Sequence, residues 1–327
     1  MLMNAIQLNR PRTFTRVQMP VPRLPAEGND RLVVRTSYGL VCGSDIPFYT
    51  GNKRNRSYPM LPGVPVHECV GEVVESASER FQPGDRVVAI PDENKGLAEF
   101  FLAQASRSVT LSPDLDDPGA ACIIQPLSTV LNAMDRLGDI QGRSFAVLGL
   151  GSIGLLFCWI AALRGAGPIE GIDPCAYRCR HAETMGAAQT FCCRGVELVQ
   201  EARQAAARWS SPDICVEAVG HQTDTINDCL ELVKKYGTVL AFGVPDQSVY
   251  AFEYETFFRK NALLMATVTP DWQEYLVKAR DFYMAHNEEL SKLVTHRIPI
   301  RDVGRAFRMY ERREDGIIKA LIDATSW

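Results

Sequence analysis

Along residues 1–115 the apolar positions come in short runs broken by Gly, Pro and Asp: RLVVRTSYGLV, CVGEVVES and DRVVAIP. Short runs rich in β-branched residues and bounded by turn formers predict strands. FQPGDRV sets Pro83-Gly84-Asp85 ahead of one of them, which supplies a turn. Past LSPDLDDPGA the pattern changes. Residues 117–137 carry Gly or Pro only at Pro118, Gly119 and Pro126, and read as helical with a break.

From Ser144 onward two periodicities alternate. FAVLGL, PIEGID, DICVEAVG and TVLAFGVP read as strands; SIGLLFCWIAALRGAG, CAYRCRHAETMGA, VELVQEARQAAAR and TINDCLELVKKYG read as helices, the last ending at Gly237. Such alternation predicts an α/β fold, a parallel sheet with helices on both faces. ALLMATV (262–268) reads as a further strand, THRIPIRDVGRAFRMYER as a short extended piece and a helix, and IIKALID as a last strand.

Composition narrows the class. The 327 residues leave room for two domains. A formal net charge of −4 gives no global reason to expect a nucleic-acid partner. MLMNAIQLNRPR lacks the apolar core of a signal peptide, and the longest apolar run, around Ile153–Leu163, is too short to span a membrane. A cytoplasmic location without membrane partners is therefore expected. In that setting the ten cysteines form no structural disulfides, and without a CxxC pair none points to a structural zinc. Most read as small core residues.

Gly149-Leu-Gly151-Ser-Ile-Gly154 matches G-x-G-x-x-G, and here it follows an apolar strand and opens a helix. The first glycine permits a tight turn, the second lets a pyrophosphate approach the backbone, and the third packs helix on strand. Ser152 and Ile153 lie at the helix N-terminus, which favours the anion. Asp173 ends the next strand, where a carboxylate accepts from a ribose 2′-hydroxyl and repels a 2′-phosphate. NAD is thus the expected cofactor, while Arg178 nearby keeps NADP open. Val219 and Gly243, at the ends of DICVEAVG and TVLAFGVP, complete the expected cofactor contacts.

Ionisable groups are rare among valines, yet VPVHECVGEVV (64–74) sets His67, Glu68 and Cys69 side by side. Strand alternation would put His67 and Cys69 on one face and Glu68 on the other. Taken alone, the stretch nominates His67 and Cys69 as a ligand pair.

LVCGSDIPFYTGN, PVHECVGEVVE, FQPGDRVV and VLGLGSIG, in this order over nearly the whole chain, resemble the medium-chain dehydrogenase/reductase family, closest to its zinc-type polyol (sorbitol-like) and alcohol dehydrogenases. The resemblance implies a β-rich GroES-like catalytic domain (1–124 and 286–327) and a Rossmann doubly wound parallel sheet (125–285). It also implies a catalytic zinc with Cys42 and His67 as ligands, Glu68 as a third, Ser44 as a proton relay and Cys69 as packing. Cysteine, histidine and carboxylate plus one water is the donor set of an open catalytic zinc. The expected reaction is hydride transfer between a secondary alcohol (a polyol or modified sugar) and NAD, with the ketone as product. A homodimer or homotetramer is implied as well, an edge strand at 262–268 pairing across the interface.

Four departures from the family pattern stand out. The cysteine-rich structural-zinc lobe is missing, leaving PDENKGLAEFF in its place. Val66 replaces the glycine of a GHE motif. Gln125-Pro126-Leu127 replaces EPL, so a neutral amide capable of hydrogen-bonding a metal-bound water stands where the family has a carboxylate. Pro47 replaces the histidine that ends the proton relay, leaving water, a ribose hydroxyl or another route. Glu68 can then join His67 only if the backbone at 66–68 departs from regular strand geometry. Lys53, Arg54 and Arg56 of GNKRNRSYP suit an acidic substituent on the substrate or a solvated loop. A zinc-free NAD(P)H reductase of a carbonyl or activated double bond, and a non-catalytic dinucleotide-binding protein, are the rival readings.

Overall fold

The computed structural model describes residues 1–25, 30–52, 57–202, 209, 211–221 and 224–327. The basic loop residues Lys53, Arg54 and Arg56 lie outside them. The chain forms two compact units, Met1–Ser128 with Pro270–Trp327, and Thr129–Thr269.

The first unit opens with the antiparallel hairpin β1 (Leu2–Arg10) and β2 (Thr13–Pro20). There follow β3 (Arg31–Leu40), β4 (Glu68–Ser76), β5 (Arg86–Pro91) and β6 (Phe100–Thr110). The second unit holds β7 (Phe145–Leu148), β8 (Ile169–Ile172), β9 (Gln189–Phe191), β10 (Ile214–Glu217), β11 (Thr238–Ala241) and β12 (Leu263–Ala266). The chain then returns to the first unit with β13 (Val294–Pro299) and β14 (Lys319–Asp323).

In the first unit the sheet order is β13-β14-β3-β4-β5-β6, and β3 also pairs with β6. Four strands therefore close on themselves, which satisfies backbone groups that an open sheet would leave at an edge. Closure forces β3 and β4 together at Gly71, where a Cβ would stand 2.3 Å from the Arg35 carbonyl oxygen. No other residue fits there without moving backbone. Valines of the predicted runs fill the inside (Val34, Val73, Val87), joined by Phe101 and by Ala306, Phe307 and Met309 of the helix Val303–Arg312.

The second unit is a six-stranded parallel sheet in the order β12-β11-β10-β7-β8-β9. β7, β8 and β10 are buried along their whole length, as strands covered on both faces must be. The order reverses at β7, so the carboxyl ends of β7, β8 and β10 meet at a topological switch point, where open α/β sheets bind ligands. Among the described residues no helix is long and apolar enough to cross a membrane.

Two local expectations change. The helix expected to run to Gly237 covers only Thr225–Leu232, because Val233 turns extended and is fully buried. Lys260 Nζ donates to the carbonyls of Glu231 (2.5 Å) and Val233 (2.7 Å), taking acceptors that further helical turns would have used. The helix expected from VELVQEARQAAAR is seen over Gly195–Ala202, its remainder lying largely outside the described residues.

Asp213 joins the starts of β7 and β10. Its Oδ2 accepts from Ser144 N (2.9 Å) and Ser144 Oγ (2.6 Å), and Lys234 forms an ion pair with Oδ1. Burial alone would raise the carboxyl pKa, but Lys234 and the Ser144 donors outweigh it and hold the group at about 2, against the ordinary 3.8. A depressed folded pKa contributes stability that is complete above the unfolded value and lost as pH falls through the folded one. Asp213→Asn is therefore expected to cost about 2 kcal/mol at neutral pH. In urea unfolding across a pH series, its deficit should close between about pH 4 and pH 2.

Candidate active site

After Leu40 the chain leaves β3, and Cys42 caps the short turn Gly43–Asp45. Asp45 closes this turn by accepting the Cys42 amide hydrogen on Oδ2 (2.9 Å). Ser44 Oγ donates to Cys42 Sγ at 3.2 Å. Pro47 sits buried in the first turn of the following helix, Ile46–Thr50, where its missing N–H costs nothing.

His67 and Glu68 come from the other side. β4 begins at Glu68, so His67 lies outside the strand and the alternation expected for VPVHECVG does not reach it. Val66, in the place of a glycine, is accommodated by glycines opposite. A Cβ on Gly39 would come within 3.0 Å of Val66 Cγ1, and one on Gly96 would meet Cys69 Sγ at 2.5 Å. Gly96 N also donates to the Val66 carbonyl at 2.9 Å. Cys69 itself is fully buried, and burial foremost pushes its thiol pKa well up, as suits a packing residue.

This departure from strand geometry brings Cys42, His67 and Glu68 together, with candidate ligand atoms all within 4.8 Å of one another. Asp45 is buried behind them, with Oδ1 3.2 Å from His67 Nδ1 but off the direction of a proper hydrogen bond. Burial opposes the imidazolium form, yet the Asp45 carboxylate and Cys42 outweigh it and raise the His67 pKa well above 6.5. An excess of acidic groups that draws a proton onto His67 also suits a divalent cation. The donor set of thiolate, imidazole and carboxylate, with a second carboxylate beside the imidazole, is one that fits zinc.

The fourth partner was not evident in the sequence. Lys319, in β14, is as buried as Glu68, each 1% exposed. Its Nζ donates to Glu68 Oε1 (2.8 Å), Glu68 Oε2 (2.6 Å) and the Val41 carbonyl (3.2 Å). Burial works against the ammonium, but Glu68 above all raises its pKa, so it stays charged. Gln125 is buried in the first turn of the helix Ile124–Leu137, its carbonyl accepting from Ser128 Oγ (2.6 Å).

In the second unit the glycine loop joins β7 to the helix Ser152–Leu163. Gly149 has φ +96°, and a Cβ there would strike Val219 at 2.8 Å; on Gly154 it would lie 1.8 Å from the Gly149 carbonyl oxygen. Gly151 differs, since a Cβ there would find only Arg178 Nη1, at 4.0 Å. Its bare backbone opens onto space at a helix N-terminus without a side-chain cap, a cradle suited to a phosphate. Ser152 is buried and Ile153 partly exposed in the first turn. Asp173 accepts from Leu150 N (2.9 Å), Cys175 N (2.8 Å) and Arg178 Nη1 (3.4 Å), so it shapes the loop it faces.

Glu217, at the end of β10, also escaped the sequence reading. Its carboxylate accepts from Val219 N (3.0 Å), Gly220 N (3.1 Å), Thr225 Oγ1 (2.9 Å) and Gly243 N (3.1 Å). Val219 and Gly243 are thereby positioned by one buried carboxylate, and Gly243 must lack a side chain because a Cβ would meet Glu217 Oε2 at 2.3 Å. The signals were present: Glu217 ends an apolar strand, Lys319 interrupts IIKALID, and Asp45 closes CGSD.

Comparison with known proteins agrees with this layout. The family model for the alcohol dehydrogenase GroES-like domain matches residues 28–109, and that for the zinc-binding dehydrogenase matches 152–282. The sorbitol dehydrogenase of Bacillus subtilis (strain 168) is 24% identical over 274 residues, covering 75% of this chain and 76% of that protein. The 2-desacetyl-2-hydroxyethyl bacteriochlorophyllide A dehydrogenase of Cereibacter sphaeroides is 28% identical over 302 residues, 86% of each. The alcohol dehydrogenase TADH from Thermus sp. ATN1 superposes with a TM-score of 0.82 at 24% identity, covering 98% of this chain and all of that one. The architecture is thus that of an alcohol dehydrogenase, a GroES-like domain with a Rossmann-type parallel sheet. The chain belongs to the zinc-type medium-chain dehydrogenase family, on its polyol branch, and is an alcohol or polyol dehydrogenase.

Removing one member of a buried ion pair leaves the other charge uncompensated, at a cost of about 3–5 kcal/mol. Lys319→Met and Glu68→Gln should each lose about that much in urea unfolding with a chelator present. The double variant should lose much less than the sum, since no lone charge then remains.

Proposed function

We propose that the protein is an NAD-dependent dehydrogenase that interconverts a secondary alcohol, a polyol or modified sugar, and its ketone at a zinc site formed by Cys42, His67 and Glu68. The observation that carries this reading is the convergence of those three ligand atoms within 4.8 Å. A zinc ion held there would supply the Lewis acidity that eases loss of the alcohol proton and of hydride.

The chain's own groups handle the rest. Ser44 Oγ rests 3.2 Å from Cys42 Sγ, and as a relay its hydroxyl would turn from that sulfur, accept the alcohol proton on its oxygen and give its own hydrogen to the next acceptor. Pro47 has neither donor nor acceptor on its side chain, so the proton continues through water or a ribose hydroxyl. Asp45 sets its charge beside His67, and Lys319 fixes Glu68. Asp173 would accept from the adenosine ribose and disfavour a 2′-phosphate, which supports NAD over NADP. The bidentate grip of Lys319 on Glu68 is the one observation that favours the rival, a zinc-free reductase, because the metal must share those oxygens.

Elemental analysis should find about one zinc per chain, lost in Cys42→Ala together with turnover. Ser44→Ala should keep the metal and lose about 10²–10⁴-fold in kcat on a secondary alcohol. A zinc-free preparation with undiminished activity would sink the proposal. NADH binding without turnover across a panel of polyols would favour a non-catalytic role instead.

We further propose a homo-oligomer formed through β12. This strand is the sheet edge, and Leu263, Leu264 and Val268 are exposed there, with Phe258 on the preceding helix. An apolar edge left open would invite uncontrolled pairing, whereas a second copy would cover it. Light scattering after size exclusion should show a dimer or tetramer for the wild type and a monomer for Leu264→Arg.

A further inference from the structure

A pocket of about 490 Å³ opens in the first unit, lined by the turn of the β1–β2 hairpin, the start of the helix Val303–Arg312 and Trp327. Five arginines, Arg12, Arg16, Arg301, Arg305 and Arg308, all exposed, are among its lining residues, and Asp302 is the one acidic side chain with them. This concentration of positive charge occurs on a chain whose net charge is −4, so it does not reflect composition.

Little inside the protein neutralises it. Arg12 pairs with Glu311, and Arg301 reaches Asp302 only at 3.9 Å with both side chains largely exposed. Arg16 donates to the neutral Asn4 Oδ1 at 3.2 Å. Among the described residues no carboxylate lies within ion-pair distance of Arg16, Arg305 or Arg308. The indole Nε1 of Trp327, in the same wall, is buried without a hydrogen-bond partner. Like charges gathered in a concavity repel one another, and a bound anion relieves that repulsion.

We infer that this pocket binds a small molecule carrying two or more phosphate groups. Guanidinium forks match phosphate oxygens two at a time, and the indole N–H adds a neutral donor. With Arg12 held by Glu311, a single monoanion would still leave most of the other four cations without a close partner, whereas adjoining phosphates can engage several at once. The volume is that of a small-ligand site, and an open pocket of this size does not match the extended stripe that nucleic acid needs. All its lining residues belong to the unit that lacks the glycine loop.

Calorimetric titration with inorganic tripolyphosphate at fixed ionic strength tests the inference. The wild type should bind it, and Arg305→Ala/Arg308→Ala should bind it at least about tenfold more weakly. Arg136→Ala/Arg194→Ala, which removes equal charge from exposed positions in the other unit, should bind as the wild type does. Arg305→Lys/Arg308→Lys keeps the charge without the fork and should fall between; thermal melting of each variant reports its folding. Equal binding by all four proteins would overturn the inference, as would no binding by the wild type. So would orthophosphate binding as tightly as tripolyphosphate.

Discussion

A lysine ammonium in a dry interior is several kcal/mol less favourable than in water unless each of its hydrogens finds an acceptor. Lys319 meets that condition fully: three donors, three acceptors, two of them the oxygens of Glu68 and the third the Val41 carbonyl. The consequence is structural as well as electrostatic. Val41 directly precedes Cys42, and Glu68 directly follows His67. One side chain on the last strand therefore pins both pieces of chain that carry the candidate ligands. Backbone pairing repeats the constraint, since Val41 N donates to the Ala320 carbonyl at 3.0 Å and Leu40 stands between Leu321 and Glu68 in the sheet. The return of the chain to the first unit after Thr269 is thus what completes the site.

The same pairing limits what the site can hold. Glu68 and Asp45 are both buried acidic side chains, and a single lysine cannot balance two carboxylates. A divalent cation would, and without one His67 is drawn toward its protonated form. Each Glu68 oxygen already accepts from Lys319, but a carboxylate oxygen has two lone-pair positions, so one remains for a metal. Gln125 adds no charge to this balance. The loss of a carboxylate there and the persistence of a lysine-bound one at Glu68 leave a smaller negative excess than two free carboxylates would.

What was legible in the sequence follows the range of the forces involved. Short valine runs, the alternation after Ser144 and the glycine loop are set by neighbours a few positions apart, and the strands and helices formed nearly where they were expected. Cys42 and His67 stood out because their spacing sits in a recognisable motif. Lys319 was not singled out, being in the sequence only a charge within an apolar strand. Its partner is 251 residues away, and nothing local joins the two; the sheet register does. The orientation of Glu68 was undecidable for a similar reason, because strand alternation applies only where the strand has begun, and β4 begins one residue after His67. The helix that stops at Leu232 shows the reverse case, a good local signal overridden by Lys260 from another element.

Two buried carboxylates at the carboxyl ends of parallel strands organise the backbone around the glycine loop. An ionised carboxylate offers about four acceptor positions. Glu217 takes four donors, the Val219 and Gly220 amides and the Thr225 hydroxyl on Oε1 and the Gly243 amide on Oε2. Its work is to hold Val219 against Gly149 and Gly243 in place. Asp173 uses three, on Leu150 N, Cys175 N and Arg178. The remaining position is what a ribose hydroxyl would need under the proposed dinucleotide reading. Because the first of those three donors belongs to the glycine loop itself, the residue that would read the ribose also sets the loop that would cradle the pyrophosphate.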